Sequence, residues 1–206
     1  ITSANDGTGS YKGTICLAIS AAAEVTGGTI ENTHASGTAI HINSGTVEIP
    51  SGSPVIKGGG QAMNKAPNLS GYTDVFILGS TTSTEGVEAA EITKADIDTN
   101  EKVQTYKYLE FGPATTPGAP TGLAATPNDG QLTLTWTAPA ITGGSAIQHY
   151  EYSLDGVNWT STGSADTSYT ITGLTNGKSY TVKVRAVNGK GGRYGIRQYN
   201  RHTSLY

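Results

Sequence analysis

Leu132-Thr-Leu-Thr-Trp136, followed further on by Leu174-Thr-Asn-Gly-Lys-Ser-Tyr180-Thr-Val-Lys-Val-Arg-Ala-Val187, decides how the second half of this chain folds. Leu132, Leu134 and Trp136 alternate with Thr133 and Thr135, the period of a half-buried strand. Tyr180, Val182, Val184 and Ala186 alternate in the same way with Thr181, Lys183 and Arg185. Around them, Pro127-Asn-Asp-Gly130, Asp155-Gly156 and Asn176-Gly177 supply turns, because Asn, Asp and Gly tolerate positive φ. Ile147, Tyr150 and Tyr152 lead into the second turn, and Tyr169, Ile171 and Leu174 into the third. Short strands at regular spacing with turns between them predict a β-sandwich. Pro117-Gly-Ala-Pro120 cannot join a ladder and marks a linker. The expected division is a first domain over 1–113, a linker over 114–120 and a sandwich over 121–206. After Asn188-Gly-Lys-Gly-Gly192 the pattern lapses. Residues 191–206 either pair through Tyr194, Ile196 and Tyr199 as an atypical last strand or are altered sequence.

Upstream, Gly28-Thr-Ile30, Gly37-Thr-Ala-Ile40, Gly45-Thr-Val47 and Gly52-Ser-Pro-Val55 recur at gaps of nine, eight and seven residues. Each unit is a short apolar strand launched from a glycine corner. Alone it buries too little to be stable, so the physical solution is to stack successive turns. Ile40 and Ile42 flank His41, and Val47 and Ile49 flank Glu48, which gives the two-residue alternation of strands. The Glu-, Asp- and Ala-rich stretch 84–103 has room for one short helix.

Composition supports an all-β chain. Glycine supplies 28 of 206 residues without a collagen period, which implies many tight turns. Charged residues are 14 % and the net charge is −3. Residues 1–116 hold twelve acids against six lysines and no arginine, and 117–190 hold four of each sign. No basic face is available there for nucleic acid. The single Cys16 excludes an internal disulfide. No apolar run reaches the length of a membrane span. The chain begins at Ile1 and is expected to be a piece of a longer protein.

The opening Pro117-Gly-Ala-Pro-Thr-Gly-Leu123, the core Trp136 and the Leu174-x-x-Gly177-x-x-Tyr180 spacing resemble the bacterial fibronectin type III domain over about 117–190. The resemblance implies a tyrosine corner, in which the Tyr180 hydroxyl bonds back to the chain. Residues 22–112 resemble the right-handed parallel β-helix segments in large surface proteins of gut Firmicutes. The resemblance rests on the Gly-Thr lines, on Ser51-Gly-Ser-Pro-Val-Ile-Lys-Gly58, on Ala62-Met-Asn-Lys-Ala-Pro67 with Gly71-Tyr72, and on Tyr106 to Phe111. It implies the C-terminal end of a solenoid, with 61–112 as a cap over its open edge.

The residues that could carry chemistry are few. Glu31 and Glu48 would make a carboxylate pair if adjacent coils stacked them; a solvated outer ladder is the plainer role. His34, His41 and Glu48 are spaced by seven, yet a metal needs three or four converging ligands. Asp96-x-Asp98-x-Asn100 opens like a calcium loop, but Glu101 replaces the glycine and Lys107 the final Glu. Gly173 to Ser179 is one residue short of a phosphate loop and is followed by a strand. Cys16 reads as a small apolar residue. Asn68-Leu-Ser70 and Asn158-Trp-Thr160 match the glycosylation triplet, with little meaning in a bacterial chain. Trp159, with Tyr150 and Tyr152 on the neighbouring strand, offers stacking faces for a sugar; packing over the hairpin is the alternative.

The expected protein is therefore all-β: a short right-handed parallel β-helix end with its cap, then a fibronectin type III β-sandwich. The expected role is a non-catalytic stalk or adhesion segment of a secreted or wall-attached bacterial surface protein. It would be a monomeric fragment of a larger chain that meets an extracellular protein or glycan, with no catalytic residue, metal or cofactor. The alternatives are a carbohydrate-binding or spacer accessory of a glycan-degrading enzyme, and a fragment of a β-helix polysaccharide lyase or hydrolase.

Overall fold

The computed structural model describes residues 2–3, 13–17, 21–42, 45–72 and 74–192. Its backbone contacts divide the chain into two units, Ile1–Ala114 and Thr115–Tyr206.

Among the described residues, eleven short strands build the first unit. They are β1 (Thr2–Ser3), β2 (Gly13–Leu17), β3 (Ala21–Glu24), β4 (Thr29–Asn32), β5 (Thr38–Ile42), β6 (Gly45–Glu48), β7 (Val55–Gly58), β8 (Gln61–Met63), β9 (Val75–Ser80), β10 (Ala90–Ile92) and β11 (Tyr108–Pro113). Each of the first five strands pairs in parallel with the strand three later: β1 with β4, β2 with β5, β3 with β6, β4 with β7, and β5 with β8. Each Gly-Thr unit of the sequence is thus one strand, and three strands pass before the chain pairs with itself again. The register brings like residues together: Ile30 faces Ile56 and Ile40 faces Met63, all buried. β-branched side chains suit this half-enclosed pleated surface.

The corners explain the glycines. A Cβ at Gly59 would lie 2.1 Å from the carbonyl oxygen of His34, so backbone packs directly on backbone. Asn32, 1 % exposed, anchors the same corner. Its Nδ2 donates to the Thr38 carbonyl at 3.2 Å and its Oδ1 accepts the His34 N–H at 3.1 Å. At the other end of β5, the Asn64 amide accepts from Ile42 N–H and donates to Ile42 O, as a neighbouring strand would.

Antiparallel pairing ends the parallel series. β11 pairs antiparallel with β7 and with β9, and β9 pairs antiparallel with β10. The stretch 84–103 forms two 3-10 turns and a single-turn helix, α1 (Asn100–Val103), whose Val103 is buried with Ile97 in the core.

In the second unit, β12 (Thr121–Asn128), β13 (Gln131–Thr137) and β16 (Ser168–Thr172) form one antiparallel sheet in the order β12-β13-β16. A second sheet runs β15-β14-β17-β18, from β14 (Ile147–Ser153), β15 (Thr160–Ser161), β17 (Lys183–Asn188) and β18 (Gly191–Gly192). Leu132, Leu134, Trp136, Ile171, Val184 and Ala186 fill the core from both sheets, as their alternation requires. The Tyr180 hydroxyl accepts the Thr175 N–H at 2.9 Å, which is the corner expected of that spacing. The strand around Val184 starts at Lys183, later than the alternation from Tyr180 suggested.

The Pro-Gly segment expected to be a linker over 114–120 is tied into the second unit from its second residue. Thr115 N–H donates to Gly143 O and Gly118 N–H to Ile141 O. Buried Asn188 donates to the carbonyls of Thr115 and Thr142. The expected pairing through Tyr194, Ile196 and Tyr199 lies outside the described residues; β18 pairs with β17 just before them.

Candidate functional site

Strand parity sorts the three aromatic candidates. On β14, Tyr150 and Tyr152 point to the sandwich interior and Glu151 to the opposite face. Tyr150 is 1 % exposed and packs edge-on against Trp136, with ring centroids 5.0 Å apart. Burial pushes its phenol above the ordinary value. It is a core residue, and the expectation of a sugar contact there is corrected: alternation turns its ring away from solvent. Tyr152 is half-buried at the rim of the same core, and its ring stacks on Tyr169 from the facing sheet, with centroids 5.4 Å apart and 30° between planes.

Trp159 belongs to the other face. Arg185, directly opposite Glu151 across β17, donates from Nε to Glu151 Oε2 at 2.5 Å. Its guanidinium lies 4.3 Å from the centroid of the Trp159 ring, a cation–π stack. His149 Nε2 lies 3.7 Å from Glu151 Oε1. The structure therefore separates Trp159 from Tyr152 by the thickness of a sheet.

The loop after β14 shapes a small cavity. Asp155 accepts hydrogen bonds from Val157 N–H and Asn158 N–H, both at 2.8 Å, from Asn158 Nδ2 at 2.6 Å and from Ser153 Oγ at 3.0 Å. These donors, the Val157 N–H first, hold its carboxyl well below the usual carboxylate range. Gly156 takes φ +78°, which the turn needs. Around this fixed loop, Tyr152, Leu154, Asp155, Asn158 and Thr160 line a cavity of about 210 Å³. Sequence reasoning missed Asn158 and Thr160, because it scored Asn158 only as part of a glycosylation triplet. The pairing of Thr160 with Tyr152 that brings them to the cavity has no signal of its own in the sequence.

In the first unit the candidate acids and histidines disperse. Glu31 lies on β4 opposite Lys57, and Glu48 lies on β6 opposite Glu24, in a different ladder. The expected stacking of Glu31 on Glu48 fails because residues paired across β4–β7 and β5–β8 are 23 to 26 apart in sequence, while these acids are 17 apart. His34 Nδ1 meets Ser36 Oγ at 3.1 Å within its own corner, and His41 sits mid-strand on β5. The three residues of the calcium-like stretch have separate tasks. Asp96 caps its 3-10 turn by accepting from Thr93, Asp98 pairs with Lys102 at 2.8 Å, and Asn100 accepts the Ala66 N–H. Among the described residues no three of His, Cys, Asp and Glu converge on one point. A second cavity, about 360 Å³, runs along the stretch 24–30, with Glu24 the one ionisable group among its described lining residues.

Comparison with known proteins places the second unit. The profile of the fibronectin type III domain matches residues 118–198. Residues 118–198 are a fibronectin type III domain. Exoglucanase B of Cellulomonas fimi is 34 % identical over 122 residues, which cover 58 % of this chain and 11 % of that protein. The match thus spans about a tenth of that relative's length. Among solved structures, the twitchin kinase region from C. elegans is 28 % identical, covering 41 % of this chain and 16 % of that one, with TM-score 0.36. A human fourth FNIII domain is 21 % identical, covering 45 % of this chain and 83 % of its own, with TM-score 0.38. The fibronectin type III domain carries the Trp159 face and the Tyr152 cavity; the first unit lies upstream of residues 118–198.

Proposed function

We infer that the chain is a non-catalytic accessory segment of a secreted bacterial protein that acts on glycans. The observation that carries this is the 34 % identity to Exoglucanase B across more than half of the chain. In this account the fibronectin type III domain is a spacer or carbohydrate-contacting module. The first unit is the end of a right-handed parallel β-helix, with 61–112 as its cap. Parallel pairing of each strand with the one three later supports the β-helix, and the strong preference for right-handed parallel crossovers supports its hand. The dispersal of Glu31, Glu48, His34 and His41 supports a non-catalytic role, since hydrolysis or lyase chemistry needs converging groups.

A second role, the stalk of a wall-attached adhesin, is favoured by the parallel ladders, because stacked rungs give a stiff body with long surfaces. Both place the chain outside the cell, next to an extracellular glycan or protein.

The test is incubation of the 206-residue chain with soluble β-glucan, xylan and pectin, followed by reducing-end and unsaturated-uronate assays. No release above a heat-denatured control is expected. Release that Glu31→Gln or Glu48→Gln abolishes would sink the non-catalytic account.

A further inference from the structure

We propose that the notch beside β15, lined by Tyr152, Leu154, Asn158 and Thr160, is a subsite for a single neutral pyranose residue of a glycan chain. This deepens the accessory-module account and rests on it. Three observations carry the assignment. The cavity holds about 210 Å³, below the roughly 300 Å³ at which sites for drug-sized ligands begin, so it fits one sugar ring and not an extended chain. Its one charged lining group among the described residues, the Asp155 carboxylate, disfavours an anionic sugar. The Asp155 carboxylate takes four internal hydrogen bonds, three at Oδ1 and one at Oδ2, which fix it within its own loop.

What remains for a ligand is amphiprotic. No hydrogen bond among the described residues engages Asn158 Oδ1, the Thr160 hydroxyl or the Tyr152 phenol. One carbonyl and two hydroxyls match a ring whose hydroxyls both donate and accept. The Tyr152 ring supplies an apolar face with a polar tip, and Tyr169 holds that ring in place. Asn158 is held as well, since its Nδ2 is tied to Asp155 Oδ2, which leaves its oxygen oriented before a ligand arrives. Preorganisation of this kind reduces the ordering cost of binding. Trp159 is not part of the subsite, because Arg185 covers its ring on the opposite face of the sheet.

A ligand of this size in an open notch binds with Kd on the order of 1 mM. The experiment is titration of the 15N-labelled 206-residue chain with cellotetraose, with maltotetraose as the α-linked arm, followed by amide shifts. Shifts are expected at Tyr152, Leu154, Asn158 and Thr160. Thr160→Val, an isosteric change at an exposed edge, is expected to weaken binding about fivefold through loss of one hydrogen bond. Tyr152→Ala is expected to abolish it, with Tyr152→Phe as the folded control that keeps the stack on Tyr169. Trp159→Ala should leave binding unchanged. No saturable shifts with either sugar, shifts centred on Trp159 and Arg185, or undiminished binding by Thr160→Val would each overturn the subsite. These outcomes are separate from the glycan-cleavage test: an inert chain that binds no sugar loses the subsite and keeps the accessory role.

Discussion

Asn32→Ala is the substitution that probes the glycine corners of the first unit most sharply. Asn32 is 1 % exposed and makes two side-chain bonds, from Nδ2 to Thr38 O and from His34 N–H to Oδ1. Each net hydrogen bond contributes about 1 kcal/mol, and buried groups left unpaired cost more, so the loss is about 2 kcal/mol or slightly above. With an m-value of about 2 kcal/mol/M, the urea midpoint of the first unit falls by about 1 M. Both tryptophans of the chain, Trp136 and Trp159, lie in the second unit, so tryptophan fluorescence follows the sandwich alone. Far-UV circular dichroism follows both. The expected result is an early dichroism transition at lower urea and an unmoved fluorescence transition. An unchanged dichroism midpoint would refute the corner assignment.

Three further outcomes test other contacts. Tyr180→Phe removes the acceptor of the Thr175 N–H, costing about 1 kcal/mol; thermal denaturation of the sandwich should shift down by about 4–8 °C, and an unchanged midpoint would show that the hydroxyl is idle. The Asp155 carboxyl, depressed by backbone N–H groups, contributes stability above the ordinary carboxylate value of 3.8 and loses it as pH falls through its lower folded value; a carbon-detected NMR titration should find its midpoint well below 3.8, and one near 4 would contradict the loop hydrogen bonds. The Tyr108 phenol, raised first by burial and then by its bond to Glu110, favours the folded state while neutral. That contribution is present below about pH 10 and is lost above it as the unfolded chain ionises, so alkaline titration should show a fraction of tyrosines ionising only on unfolding, smaller by one in Tyr108→Phe.

The sandwich was legible in the sequence because its signals are local. Leu132-x-Leu134-x-Trp136 names its own buried face, and the Leu174 to Tyr180 spacing carries its own corner. The parallel ladders were legible only in part. Gly-Thr spacing located the strands, but which strand pairs with which depends on rung length, and no single unit encodes it. That is why Glu31 and Glu48 were set on neighbouring coils although they belong to different ladders. The candidate site shows the same limit. Residue type selected Trp159, Tyr150 and Tyr152 together, whereas strand parity divides them between the core, the rim and the outer face. The Asn158 and Thr160 side chains gain interest only once the hairpin aligns them with Tyr152.

The non-catalytic account depends on parallel pairing three strands apart, because that pairing disperses the ionisable groups. Backbone NOE spectroscopy on the labelled chain tests it directly. Cross-strand contacts of the parallel type are predicted between Ile30 and Ile56 and between Ile40 and Met63. An antiparallel pattern at these positions, or contacts that bring Glu31 beside Glu48, would contradict it.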